Sequence, residues 1–174
     1  MIVPPHDELQ GWLSDAEAAE LVRQTRGKTV LEVGTWKGRS AVVMALNGAA
    51  RVVCVDHFRG DAYAGAADTL ADWRRQVEVF GVRDRVHVLV GDFRAVLPLL
   101  ALAAFEVIYY DADHEYEPTR DALRLALAAA PGAVMCVHDY AAGYPQVIRA
   151  VDEAAAGTGR RVRVIDTLAV LETP

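Results

Sequence analysis

Residues 30–40 read VLEVGTWKGRS. An apolar, β-branched run ends at Gly34, a second glycine follows at Gly38, and a helix-compatible stretch opens at Ser40. This is the signature of a strand that turns sharply into a helix. Glycine at such a turn lets a ligand approach the backbone, and the helix N-terminus offers N–H groups with no partner inside the helix. An anionic or carboxylate-bearing ligand would suit that corner, although a strand-to-helix turn can also need glycine for geometry alone. The spacing is G-x-x-x-G, so the dinucleotide fingerprint G-x-G-x-x-G is not met.

Four more valine- and isoleucine-rich runs follow, at 51–56, 86–90, 105–111 and 132–138, after the one at 29–33. Short and almost uninterrupted apolar runs of this kind fit strands buried on both faces of a parallel sheet. Helical stretches separate them. Residues 40–47 stop at Gly48, 69–80 stop at Gly81 with Leu70, Trp73 and Val77 on one face, and Pro118 can open a helix that runs to Ala130 before Pro131-Gly132. Near the start, Ser14 followed by Glu17 is a capping-box pattern for a helix that carries Leu21 and Val22. After a last helix over 145–156, two strand-like runs in RRVRVIDTLAVLE are separated only by residues around Asp166-Thr167, a link so short that it permits only antiparallel pairing. The order predicts an α/β protein with a Rossmann-like doubly wound sheet: five parallel strands plus a C-terminal antiparallel β-hairpin, seven in all, with helices on both faces. One domain over 1–174 is expected.

Composition agrees and narrows the partners. The 174 residues are 53% hydrophobic and 24% charged, which excludes a disordered or fibrous chain. A formal charge of −6 repels phosphate backbones, so nucleic acid is not expected as a partner. The greasy stretch 95–105 is interrupted by Pro98 and is too short to span a bilayer, and the first eight residues hold Asp7, Glu8 and two prolines with no basic segment leading into an apolar one. No membrane association and a cytoplasmic location are therefore expected. Cys54 and Cys136 lie inside apolar runs, as buried thiols do.

The strand ends carry the candidate chemistry, because ligands in open α/β sheets bind beyond the carboxyl ends of the strands. Asp56 ends the second run, 22 residues after Gly34, where an acid can accept hydrogen bonds from ribose hydroxyls or cap a loop. The third run ends in Gly91-Asp92-Phe93, an acid and an aromatic that could hold an adenine; Asp92 is equally placed to cap a helix. Asp111 and Asp139 end the fourth and fifth runs. On neighbouring strands, about 4.8 Å apart, their carboxylates repel unless a proton or a cation lies between them. Mg²⁺ suits two oxygen ligands on an open site. His114, three residues after Asp111, can reach the same space and has the basicity to take a proton from a hydroxyl.

Taken in order, these residues resemble the class I S-adenosylmethionine-dependent methyltransferases, over essentially the whole chain. Within the class, DADHEY followed by PGAVMCVHDY, with DHFRG after the second strand, is similar to the small metal-dependent O-methyltransferases that act on macrolide sugars, and more distantly to the caffeoyl-CoA type. The resemblance implies that Glu32, Gly34, Thr35, Gly38 and Ser40 form the cofactor turn, Gly34 and Gly38 bordering the methionine part. It implies that Asp56 binds ribose, that Asp92 binds adenine, that His57, Phe58 and Phe93 lie about the base, and that Asp111 also touches the cofactor. It further implies Asp111 and Asp139 as metal ligands and His114 as general base. In catechol-type and caffeoyl-CoA-type enzymes an Asn follows the second metal aspartate; here it is Tyr140.

The expected function is transfer of a methyl group from S-adenosyl-L-methionine to a hydroxyl of a small molecule, a specialised metabolite, with help from Mg²⁺ or another divalent cation. N- or C-methylation, a metal-independent methyltransferase and a non-catalytic cofactor-binding protein are the alternatives. The turn spacing and the terminal hairpin argue against a nicotinamide enzyme. Trp36, Tyr63, Tyr140 and Tyr144 could wall the acceptor, or pack the core or a dimer contact. The sequence has no inserted lid of the kind larger relatives carry, and a homodimer is one way to close such a site.

Overall fold

The computed structural model describes residues 1–61 and 65–173. Seven strands form one sheet in the order β5-β2-β1-β6-β7-β9-β8: β1 (Thr29–Val33), β2 (Arg51–Asp56), β5 (Val86–Val90), β6 (Val107–Tyr110), β7 (Val134–Val137), β8 (Arg161–Ile165) and β9 (Leu168–Glu172). The first five are parallel, and β9 pairs antiparallel with both β7 and β8. The two-residue strands β3 (Gly60–Asp61) and β4 (Gly65–Ala66) form a separate ribbon. The doubly wound sheet and its closing hairpin are those expected from the alternation of runs.

Period-2 alternation divides the core. On one face, Val107 and Tyr109 of β6 pack with α1 (Asp15–Thr25), α2 (Arg39–Leu46) and α3 (Leu70–Val79). On the other, Ile108 and Tyr110 pack with α4 (Phe93–Val96), α5 (Tyr116–Ala129) and α6 (Pro145–Thr158). Cys54 and Cys136 are buried free thiols on the first face. Among the described residues no helix is long and apolar enough to cross a membrane.

Local chemistry sets the helix ends. Ser14 and Glu17 close the capping box at α1, with Glu17 N–H donating to Ser14 Oγ at 3.2 Å and Ser14 N–H to Glu17 Oε2 at 2.9 Å. Helix α5 begins two residues before Pro118, which the first turn tolerates because N–H groups there have no partner inside the helix. The greasy stretch after β5 folds as the short α4 and two 3₁₀ turns, Leu97–Leu99 and Leu102–Ala104, capped by Asp92.

Candidate active site

The carboxyl ends of the parallel strands open into a cleft of about 790 Å³. At its β1–β2 end the glycine turn is built by close approach. Gly34 has φ +85°, and a Cβ there would lie 2.1 Å from the Asp111 carbonyl oxygen. The turn is then fixed by Asp56: its Oδ2 accepts the N–H groups of Thr35 and Trp36, both at 2.8 Å, and its Oδ1 accepts that of Phe58 at 2.6 Å. Oδ1 keeps a lone pair for a ligand hydroxyl. Beneath the turn, fully buried Glu32 accepts from the Ser40 hydroxyl and from Cys54 Sγ, and burial pushes its carboxyl up to about 7.

Gly34, Thr35, Ser40, Asp56, His57, Phe93, Asp111, His114 and Asp139 all line the cleft. Four other residues of the expected set stand back from it. Glu32 is the floor beneath the turn. Gly38 (φ +90°) caps α2 where a Cβ would meet the Trp73 ring at 2.9 Å, so its small size serves packing. Phe58 is buried against Trp73, their ring centroids 6.1 Å apart. Asp92 accepts the Arg94 N–H as the cap of α4 and is gripped by the Arg94 guanidinium at 2.6 Å, so its carboxylate serves the helix end and its neighbours Gly91 and Phe93 face the cleft.

At the other end, β6 and β7 pair Tyr110 with Val137, and one step further that register sets Asp111 beside His138 rather than beside Asp139. Asp139 follows with φ +60°, a left-handed conformation that Asp tolerates and that marks a bend beyond the strand. His138, which the sequence reading passed over, stands between the acids: its Nδ1 is 3.2 Å from Asp139 Oδ2 and 3.6 Å from Asp111 Oδ1, and its Nε2 is 3.3 Å from Glu17 Oε2. The signal was period 2. Cys136 and His138 share the strand face that α1 covers, and Glu17 is in the first turn of α1. Glu17 also accepts the N–H (2.8 Å) and hydroxyl (2.6 Å) of Thr167 from the hairpin turn. His114 Nε2 meets Asp139 Oδ2 at 2.8 Å, and its ring stacks on Tyr144.

The electrostatics follow from this crowding. Desolvation, with the like charge of Asp139 adding to it and His138 opposing it, pushes Asp111 up to about 6. Burial raises Asp139, but hydrogen bonds from His114 and His138 overcome it and hold the carboxyl well below its ordinary value. Burial lowers the His138 imidazole, yet Asp111, Asp139 and Glu17 push it up to about 11.

The N-terminal segment borders the mouth. His6, Gly11, Trp12 and Leu13 line the cleft, and Arg39 Nη1 fastens the segment to α2 by donating to the carbonyls of Pro4 (3.0 Å) and Leu9 (2.5 Å). Trp12 packs against Trp36 with ring centroids 4.5 Å apart and the planes tilted by 39°. Of the candidate acceptor wall, Trp36 and Tyr144 line the cleft; the Tyr140 hydroxyl turns away to Asp152 on α6 at 2.9 Å, and Tyr63 lies outside the described residues.

A family described as "Methyltransferase domain" matches residues 31–140, the segment from the glycine turn to Tyr140. The chain belongs to this methyltransferase family. It is 31% identical over 145 residues to a catechol O-methyltransferase of Mycobacterium tuberculosis, a match covering 78% of this chain and 58% of that protein. The chain thus spans little more than half the length of that relative. Among solved structures, cofactor-bound Rv0187 from MTB superposes with TM-score 0.75 at 23% identity, covering 94% of this chain and 82% of that one. The O-methyltransferase TomG from Streptomyces achromogenes, in complex with SAM, superposes with TM-score 0.68 at 20% identity, covering 97% and 86%. Both superpose over nearly the whole of this chain, which shows a common fold.

Whether the cleft could take a cation is a question of donors. Asp111, His138 and Asp139 each offer one ligand atom, all within 4.8 Å of one another. Two carboxylates and an imidazole on converging strand ends are a fitting donor set for a divalent ion.

Proposed function

We propose that this chain is an S-adenosylmethionine-dependent O-methyltransferase that methylates a hydroxyl of a small molecule, a specialised metabolite, with divalent-cation assistance. The observation that carries the reading is that one cleft joins an amide-fixed acid, Asp56, to a carboxylate-oriented histidine, His114 on Asp139. The cleft is of a size to enclose a nucleoside-bearing cofactor and a small acceptor together. Asp56 and the Thr35 turn would hold the ribose and methionine ends, and Gly91 and Phe93 the base. Asp139 orients His114, whose ring lines the cleft, and in this reading the histidine takes up the proton of the acceptor hydroxyl as the oxygen attacks the methyl carbon. The protein's part is alignment and proton removal, since the sulfonium already supplies a reactive methyl group. A divalent ion held by Asp111 and Asp139 would supply positive charge that lowers the acceptor's pKa.

The reading is supported by the TomG complex with SAM and by the name of the catechol O-methyltransferase relative. Titrating the purified chain with S-adenosylmethionine by calorimetry, then offering it a panel of catechols and sugar alcohols with methylation read by mass spectrometry, tests it. Saturable cofactor binding with a methylated hydroxyl product is expected. No binding of the cofactor would overturn it.

A further inference from the structure

We propose that His138 Nδ1, oriented by Glu17, is the third protein ligand beside Asp111 and Asp139, and that this nitrogen biases the site toward a first-row transition ion over Mg²⁺. The proposal rests on the methyltransferase reading only for the use of the ion; the ligand set stands on geometry. Glu17 decides the orientation. A fixed backbone donor meets each of its oxygens, Thr167 N–H on Oε1 at 2.8 Å and Ser14 N–H on Oε2 at 2.9 Å. The side chain at this position must therefore accept at both oxygens, as only a carboxylate can. His138 Nε2, 3.3 Å from Oε2, has to donate to it.

With Nε2 carrying the hydrogen toward Glu17, Nδ1 faces Asp111 Oδ1 at 3.6 Å and Asp139 Oδ2 at 3.2 Å, and a bound ion would take the place of the proton that this nitrogen shares with the two acids. Neighbouring ligand atoms about one octahedral metal, each roughly 2.1 Å from it, lie about 3 Å apart. The observed separations are close to that spacing before any ion has drawn the ligands in. A histidine whose far nitrogen donates to a carboxylate is the usual arrangement around protein-bound metals, because the carboxylate fixes the ring and raises its donor strength. Here that carboxylate sits in the first turn of α1, more than a hundred residues before its partner, and the same residue clasps the hairpin turn. Imidazole suits transition ions, whereas Mg²⁺ takes oxygen. Replacing one oxygen by His138 nitrogen therefore shifts the preference.

The test uses the full chain, stripped with chelator, and Mn²⁺ as the probe. Pulsed electron paramagnetic resonance should show one bound Mn²⁺ with a directly coupled ¹⁴N, and this readout needs no variant. Competition with Mg²⁺ then gives the Mn²⁺-to-Mg²⁺ affinity ratio, which should fall by at least about tenfold in His138→Asp as the coupling disappears. Glu17→Gln should lower Mn²⁺ affinity by about 10–100-fold, in protein whose circular dichroism and melting show it folded. Bound Mn²⁺ without ¹⁴N coupling removes His138 as a ligand. An unchanged affinity in folded Glu17→Gln removes the orienting role. If wild-type protein binds neither ion, the proposal and the cation part of the function fail together, while cofactor titration, measured separately, still decides methyl transfer.

Discussion

At the β1–β2 end of the cleft, Asp56 is held by the backbone amides of Thr35, Trp36 and Phe58; at the β6–β7 end, Asp111 and Asp139 are held by the side chains of Tyr109, His114 and His138. Amides are fixed once the chain has turned, and they carry no proton that neutral pH can remove. Side-chain partners bring charges of their own, so the second end is tuned by its neighbours and is sensitive to any one of them. The first end is thus suited to holding a ligand and the second to moving a proton. Gly34 joins the two, since it begins the amide turn and lies against the Asp111 carbonyl.

Breaking the proton-moving end alone should have the largest effect. His114→Ala is expected to lower turnover by about 10²–10⁴-fold while leaving S-adenosylmethionine affinity unchanged in calorimetry. Equal loss in both quantities would mean the two ends are not separable. Gly34→Ala should break both at once. The left-handed φ and the 2.1 Å approach to a backbone oxygen leave a methyl group no place, so strain and overpacking together cost roughly 2–5 kcal/mol, read as a large drop in melting temperature. Next comes Asp56→Ala. It removes one acceptor group from three N–H donors, and a hydrogen bond to a charged group is worth about 1.5–3 kcal/mol. Cofactor affinity should fall at least about tenfold, with some loss of stability, whereas the reactivity of His114 toward diethyl pyrocarbonate should not move.

The same contrast explains what could be read from the sequence. The glycine turn, Asp56 and the strands around them occupy a nearly continuous stretch, and apolar runs punctuated by glycine and proline were enough to read the parallel strands and the hairpin. Asp111, His114 and Asp139 were legible as strand-end residues because strand ends are where open sheets bind ligands. The two acids do come together at the ends of neighbouring strands, within 4.8 Å, but through a left-handed Asp139 that follows His138, the residue the register sets beside Asp111. Glu17 read only as half of a capping box; its partners His138 and Thr167 come from distant segments that no local pattern connects. Asp92 and Gly38 are set by their neighbours. Of the two roles the sequence left open for Asp92 the structure displays the helix cap, and Gly38 packs on Trp73.

The smallest expected effect is the most direct check on how the floor of the amide end differs from the acids outside it. Glu32 is fully buried with a carboxyl pushed up to about 7, whereas Glu20, paired with Arg23 and Arg163, is drawn down to about 2 despite the opposing effect of burial. A raised value means that the folded chain holds a proton that the unfolded chain has released, so stability is full below the ordinary value of 4.5 and is lost as pH rises through about 7. A lowered value gives the opposite limb: the Glu20 contribution is present above 4.5 and is lost as pH falls toward about 2. Glu32→Gln keeps the shape and leaves an acceptor for the Ser40 hydroxyl, so the difference in unfolding free energy between variant and wild type, followed by denaturant melts, should favour the variant increasingly from pH 5 to pH 8, by no more than about 3 kcal/mol. Below pH 4 the two should fall together, because the acid limb belongs to carboxylates held low in both chains, Glu20, Glu17 and Asp139 among them. If instead wild type gains on the variant as pH rises, Glu32 is ionised in the folded chain and the turn above it rests on a buried carboxylate held by Ser40 and Cys54.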